Sequence, residues 1–286
     1  MALSKLSADE HGIILGQLCN ALEPRCAVYF SSASSGLRVL LTPALLQQLK
    51  ADHKAAAVLC GKTRTSFKEL REAKFVSWRN KGLFAADLAT LGKLSSVLPA
   101  LLVVIICDFS GAAGPDGVQR LAEGLGAGAL SAVRVLTFAG MHVGDAGASA
   151  LGTALGRGAL PRLKNLTLVN AAIGDAALVA LAPALRARLA LVQLDLRGNP
   201  FGDEGISALV SPLPPAGALP PTTGGLKELK ELYLDSTQVT DAGCTALASA
   251  LDTGALPVLE VLKLNDMIPA SVAARAAVYG RRVWSS

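Results

Sequence analysis

Apolar residues recur along most of this chain in one fixed phrase. Its clearest copy runs from Leu160 to Leu168, where leucines are spaced Leu-x-x-Leu-x-x-Leu-x-Leu. Copies aligned on their last two apolar positions begin at Leu70, Leu98, Leu130, Leu160, Arg188, Leu226 and Leu256. Successive copies lie 28 to 38 residues apart. Such a period predicts a solenoid in which each unit buries its apolar face against its neighbours.

Each repeat has a strand part and a helix part. The alternation Leu166-x-Leu168 has the period of a short strand with one buried face. A Gly-Asp or Thr-Asp pair follows six residues later, and we expect each aspartate to cap the first turn of its own helix. These pairs are Gly144-Asp145, Gly174-Asp175, Gly202-Asp203 and Thr240-Asp241. Leucines four apart then share one helical face, as in Leu151/Leu155, Leu181/Leu185 and Leu247/Leu251.

The repeat resembles the ribonuclease-inhibitor-like type of leucine-rich repeat. The resemblance implies an α/β solenoid, or horseshoe, of about seven strand-helix repeats over residues 66–286. The first copy is degenerate, with Ala73, Val76 and Trp78 at leucine positions, as expected of a terminal repeat. We expect Ala270–Val283 to form a basic closing helix. The stretch Ser211–Gly225 holds five prolines and is interpreted as an extruded loop, with a docking ligand as the alternative.

Residues 1–65 lack the repeat and predict a small helical module. Thr42-Pro43 is typical of a helix start, with a threonine N-cap and proline at the first position. The segment from Leu6 to Leu40 resembles an F-box, with Ser7 in place of the opening proline and Leu37 in place of the usual tryptophan. The resemblance implies docking on the linker subunit of a cullin-RING ubiquitin ligase. The candidate docking residues are Leu6, Ile14, Leu18, Leu22 and Leu37, some of which we expect to be core.

In such a solenoid, the residues between the strand leucines lie on a concave face. The partner-binding candidates on that face are Phe75, Arg79, Val103, Ile105, Val135, Thr137, Asn165, Thr167, Gln193, Asp195, Arg197, Glu231, Tyr233, Asp235 and Lys263. The N-terminal half is apolar and the C-terminal half is charged around one tyrosine. An apolar patch with charge beside it is typical of a protein interface.

Two other interpretations of this face stay open. The N-terminal module or a loop could cover the apolar half around Val103, Ile105 and Val135. The charged half could be a solvated ladder, in which Asp195–Arg197 and Glu231–Lys263 are weak surface ion pairs.

Charge and cysteine content limit the cellular compartments in which we expect this chain. The net charge is +5, but residues 1–82 carry 12 Lys/Arg against 6 Asp/Glu, so that the rest of the chain is close to neutral. Five cysteines form no Cys-x-x-Cys pair and no signal peptide precedes them, which favours a reduced, intracellular compartment, cytoplasmic or nuclear. The longest apolar run, Leu98–Cys107, falls short of the roughly 20 residues that cross a bilayer.

The residues do not predict an enzyme or a cofactor. Gly61-Lys62-Thr63 looks like the end of a phosphate loop, but Ala56 stands where that loop requires glycine. The histidines His11, His53 and His142 lack metal-ligand spacing. We therefore expect a protein-recognition module, most concretely an F-box-like substrate receptor that binds its partner on the concave face. The alternative is a scaffold without a ligase role that binds an acidic protein, RNA or a membrane surface; nucleic acid is disfavoured because no aromatic residues interleave the basic ones.

Overall fold

The computed structural model describes residues 20–32, 42–114, 116–188, 190–210 and 226–264. Its strands are β1 (Phe75–Arg79), β2 (Val103–Cys107), β3 (Val135–Ala139), β4 (Asn165–Val169), β5 (Gln193–Asp195), β6 (Glu231–Tyr233) and β7 (Val261–Lys263). Its helices are α1 (Arg25–Ser32), α2 (Pro43–Thr63), α3 (Phe67–Glu72), α4 (Ala85–Leu94), α5 (Asp116–Glu123), α6 (Gly144–Gly156), α7 (Asp175–Arg188), α8 (Asp203–Val210) and α9 (Asp241–Asp252). The loop at 211–225, the closing helix at 270–283 and most of the F-box-like segment lie outside the described residues.

The seven strands form one parallel sheet whose spatial order is their order in the chain. Each strand pairs in register with the next, so that Leu136, Leu166 and Leu194 lie side by side. This arrangement confirms the predicted α/β solenoid, because equivalent positions of successive repeats stack directly on one another.

The core lies between the sheet and the helices that follow its strands. The expected strand positions Val76, Trp78, Val104 and Ile106 are all buried, including those of the degenerate first two copies. Leu151, Leu155, Leu181 and Leu185 are fully buried on the helices. The leucine face of each helix and the apolar face of each strand thus cover one another and are buried together.

Small residues set the distance between neighbouring helices. A Cβ on Gly152 of α6 would lie 2.8 Å from the backbone oxygen of Ala180 in α7. A Cβ on Gly92 of α4 would lie 2.5 Å from the backbone oxygen of Leu121 in α5. Both distances are shorter than van der Waals contact, so the helices approach closely only because glycine stands at these positions.

Three aspartates of the turn pairs, Asp145, Asp175 and Asp203, accept amides of the next repeat rather than of their own helix. Asp175 is the first residue of α7, and its Oδ1 accepts the amides of Gly202 and Gly205, at the start of α8, both at 2.8 Å. Asp203 in turn accepts the amides of Thr240 and Gly243 at 2.7 and 2.9 Å. For these three aspartates, the expectation of a cap within one repeat was therefore wrong. The first-turn amides do receive a carboxylate, but it comes from the preceding unit and ties the units together.

The described part of the N-terminal segment packs on the first repeat. Thr42 Oγ1 accepts the amide of Leu45 at 3.2 Å, which confirms the predicted start of α2. This helix continues through Gly61-Lys62-Thr63, so the resemblance to a phosphate loop falls in helical backbone. Lys62 pairs at 2.5 Å with Asp87 of α4. Leu22 and Leu59 belong to the same core as the repeats.

Candidate functional site

The predicted concave residues lie together on the sheet face opposite the helices. We call this surface the open sheet face; it consists of the first, third and fifth positions of each strand and their continuation after β5 and β6. The first row is Phe75, Val103, Val135, Asn165, Gln193, Glu231 and Val261. The central row is Ser77, Ile105, Thr137, Thr167, Asp195, Tyr233 and Lys263. The last row is Arg79, Cys107, Ala139 and Val169, followed by Arg197 and Asp235 after the shorter strands.

The apolar half of the open sheet face is accessible at its first strand. Phe75 is 57% exposed, while Val103, Ile105 and Val135 are half-buried. Cys107, in the last row of the same face, is buried. These side chains present a continuous apolar surface over β1 to β3.

Phe109 adds a second exposed aromatic ring beyond the end of β2. It is 68% exposed, and its ring lies against Gly140, where a Cβ would come within 2.2 Å of the ring. Sequence reasoning missed Phe109, because it follows the strand and lies outside the repeat pattern. Its contact with Gly140 is decided by the stacking of two repeats.

In the charged half, Asp195 and Arg197 form a partly buried ion pair, which differs from the weak surface pair of the solvated-ladder alternative. The guanidinium of Arg197 donates to both carboxylate oxygens of Asp195, from Nε at 2.9 Å and from an Nη at 2.7 Å. Asp195 is only 3% exposed, whereas the Arg197 side chain remains 47% exposed. The hydrogen bonds to Asp195 raise the pKa of Arg197. This two-pronged geometry fixes the guanidinium plane over the sheet.

Tyr233 lies between two cations at the centre of the charged half. The guanidinium carbon of Arg197 is 5.3 Å from its ring centroid and the Lys263 Nζ is 5.7 Å away. The Tyr233 hydroxyl donates to Glu231 at 3.0 Å. Burial, followed by this bond to a carboxylate, raises the pKa of Tyr233. Within the described residues no ion pair joins Glu231 to Lys263, so the solvated-ladder alternative does not hold for this pair.

A row of cations borders the open sheet face where the strands begin. Lys74, Arg134 and Lys164 precede β1, β3 and β4, and we call these three residues the basic rim. Backbone bonds place them in one ladder, since Leu102 N donates to the Lys74 carbonyl, Arg134 N to that of Leu102, and Lys164 N to that of Arg134. All three side chains are exposed. The signal was a Lys or Arg immediately before each of these strands, which sequence reasoning did not use.

A buried asparagine supports the loop that follows the open sheet face. Asn199 is 1% exposed and accepts the amides of Ala171 and Ile173 at 2.9 and 3.1 Å. Its amide group donates to the carbonyls of Leu168 and Leu196 at 2.6 and 2.8 Å. Asn199 therefore holds two successive repeats together just beyond the strands. It too was missed, since equivalent repeats carry other residues at this position.

The docking candidates fall largely outside the described residues. Leu6, Ile14, Leu18 and Leu37 are among those that the structure does not describe. Leu22 is described and is 6% exposed within the core, so it belongs to the structural part of the set.

A separate apolar groove lies between α1 and α2. Its volume is about 300 Å³, and its lining is formed by Pro24, Arg25, Val28, Tyr29, Leu46, Leu49 and Lys50. Tyr29 is 70% exposed at its border.

In the described part of the chain, no helix has both the length and the apolar character needed to cross a membrane.

Comparison with known proteins identifies the repeat. A family model described as Leucine Rich repeat matches residues 191–210 and 227–248, the units that contain β5 with α8 and β6 with most of α9. The chain carries leucine-rich repeats. No curated protein sequence matches it.

The chain is also similar to solved structures. One is the crystal structure of the Rad7 and Elc1 complex in yeast, with 16% sequence identity and a TM-score of 0.40. The alignment covers 82% of this chain and 67% of that chain. The ribonuclease-inhibitor-like subtype and the F-box remain predictions from the sequence.

Proposed function

We propose that this protein is a recognition module that holds a partner protein on the open sheet face. The observation that carries the proposal is the exposed apolar surface around Phe75, which lies on the same sheet face as the mutually packed Arg197 and Tyr233 of the charged half. Interfaces favour aromatic and arginine anchors, and an anchor that is already held in position loses less side-chain entropy on binding.

We propose further that the N-terminal module is F-box-like and docks on the linker subunit of a cullin-RING ubiquitin ligase. The order of the modules supports this role, as does the apolar groove beside Tyr29, which offers a docking surface away from the sheet. The protein would then be a substrate receptor rather than an enzyme and would act inside the cell. Among the described residues, Cys26, Cys60 and Cys107 are free thiols, in keeping with a reduced compartment.

The ligase role is tested by co-expression of the full chain with the linker subunit and the cullin, followed by affinity purification. Tyr29→Asp should abolish recovery of both subunits, because it places a charge at the border of the groove. Val179→Asp is the matched control, since Val179 is 43% exposed on α7, in the solenoid. If wild type recovers neither subunit, or if Tyr29→Asp recovers both at the wild-type level, the ligase role is wrong.

The recognition role has its own test, independent of any ligase. Proteins captured by the full chain in cells should be lost when Ile105→Asp is introduced on the open sheet face and retained when Val179→Asp is introduced. A thermal melt of each variant shows that the fold survives. Capture that is unaffected by Ile105→Asp and also by Tyr233→Ala would place the interaction elsewhere and overturn the proposal.

The runner-up is a scaffold without a ligase role that binds an acidic partner. The basic rim favours it, because three exposed cations follow one another along the strand starts. Such binding should weaken steeply as salt is raised, whereas apolar docking at the groove should change little.

A further inference from the structure

Among the residues that directly precede the strands, cations outnumber acids at β1 to β4 but not at β6 and β7. In the four residues that precede each of β1 to β4, the cations are Arg71, Lys74, Arg134, Arg162 and Lys164, and the single acid is Glu72. Before β6 and β7, the two cations Lys227 and Lys230 are accompanied in the sequence by the two acids Glu228 and Glu260. Arg71 pairs with Glu23, which leaves Lys74, Arg134, Arg162 and Lys164 as the excess positive charge. This charge lies at the starts of β1 to β4 and not at those of β6 and β7.

Few carboxylates of this chain neutralise the basic rim. Lys164 Nζ lies 3.4 Å from Glu228, but both side chains are about half exposed, so this pair contributes little and can be exchanged for a ligand's carboxylate. Within the described residues, Lys74 and Arg134 take part in no ion pair with Asp or Glu. By contrast, Lys230 lies 2.6 Å from Glu260.

The basic rim and the apolar row run side by side. Lys74 is followed directly by Phe75, and Arg134 by Val135, while strands of a sheet lie about 4.8 Å apart. A peptide segment that crosses the strands would thus meet cations along one edge and apolar side chains along the next row. An acidic residue of that segment, placed at the start of any strand from β1 to β4, would lie no more than two strands away from a cation of the basic rim.

We propose that the apolar half of the open sheet face takes an acidic segment of a partner protein, whose apolar side chains contact Phe75, Val103, Ile105 and Val135 while its carboxylates pair with the basic rim. This inference rests on the proposed recognition role and names the partner's chemistry. Charge complementarity selects an acidic ligand and the branched aliphatic surface selects side chains rather than bases. Single-stranded RNA prefers a run of aromatic platforms. In this half, Phe75 is the aromatic residue of the strand rows and Phe109 lies beyond the end of β2, so the surface over the strands is mainly aliphatic.

The test is a selection of random 12-residue peptides, displayed on phage, against the immobilised full chain. Selected peptides should be enriched in Asp and Glu together with large apolar residues. The double variant Arg134→Glu with Lys164→Glu should weaken their binding about tenfold or more, as should Ile105→Asp. The matched control is Lys54→Glu with Arg120→Glu, which makes the same change of charge at exposed positions on α2 and α5 and should leave binding unchanged.

The outcomes separate this inference from the recognition role. If the selected peptides are basic or uncharged and lose their binding in the Ile105→Asp variant, the acidic partner is wrong and the recognition role stands. Peptides that bind independently of both Ile105 and Tyr233 would overturn both. A 12-nucleotide RNA or a phosphatidylserine vesicle that binds through Arg134 and Lys164, with no acidic peptide selected, would overturn the inference in favour of nucleic acid or lipid.

Discussion

Asp175 accepts the backbone amide of Gly205 at 2.8 Å, although the two residues belong to successive repeats. The same oxygen accepts the amide of Gly202 at the same distance. One carboxylate thus satisfies amides at the start of the following helix and fixes the spacing of two units. Asp203 repeats the arrangement one unit further on, with Thr240 and Gly243.

Removal of such a carboxylate should destabilise the solenoid. Asp175→Ala leaves the amides of Gly202 and Gly205 without their acceptor, and the loss of a helix cap costs about 1 to 2 kcal/mol. Urea unfolding followed by circular dichroism measures the change. Glu204→Ala, at an exposed position in the first turn of α8, is the control and should cost less. Equal losses for the two variants would mean that general helix-end electrostatics, and not the cap, stabilises this turn.

Asn199 should be more costly to replace than any polar residue of the open sheet face. Asn199→Leu removes the acceptor of two buried amides and the donor to the carbonyls of Leu168, Leu196 and Arg197. We expect a loss of roughly 3 kcal/mol or more in the free energy of unfolding. Asn165→Ala is the matched control, since Asn165 is only half-buried and donates to the Gln193 side chain at 2.5 Å. A small loss for Asn199→Leu in urea unfolding would contradict the role of its amide group in joining repeats.

Two glycines of α6 should respond in opposite ways to alanine. Gly152→Ala places a Cβ 2.8 Å from the Ala180 carbonyl oxygen, so it should destabilise by roughly 1 to 3 kcal/mol despite the better helix propensity of alanine. Gly156→Ala meets nothing within 4 Å and should be neutral or stabilising by up to about 1 kcal/mol. The melting temperature should fall for Gly152→Ala and stay unchanged or rise for Gly156→Ala. If both rise, α6 and α7 are free to move apart at no cost.

Tyr233 should titrate above its ordinary pKa of about 10. Its folded pKa is raised, so the neutral phenol stabilises the fold fully below the unfolded pKa, and this contribution is lost as the pH rises through the folded value. Glu231→Gln should lower the pKa of Tyr233, because the neutral amide no longer repels the phenolate. Absorbance at 295 nm, taken as the difference from Tyr233→Phe, follows the titration. An unchanged titration in Glu231→Gln would mean that Glu231 does not raise the pKa of Tyr233 and would leave burial and the Asp195 carboxylate as its causes.

The repeat spacing predicted the strands because it reports local geometry. Val104 and Ile106 could be assigned to a buried strand face from alternation alone, and the structure confirms both. The same alternation placed Phe75 and Tyr233 on the opposite face. Burial on that face was harder to predict, as Asp195 shows, because it depends on Arg197 closing over the carboxylate.

Contacts between repeats could not be predicted from one repeat at a time. The aspartates were recognised as helix caps, but their targets lie 27 to 40 residues further along the chain. Phe109 and the basic rim were missed for a related reason. Their significance depends on which residues the adjacent repeats place beside them.

The sequence by itself determined the order of strands and helices, the buried face of each and the residues of the open sheet face, because the periods of strand and helix are properties of the local backbone. Only the tertiary structure decided which carboxylate caps which helix, that Asp195 is buried, and that Lys74, Arg134 and Lys164 border one apolar surface. These relationships arise from stacking in register, which brings residues about thirty positions apart in the chain to neighbouring strands.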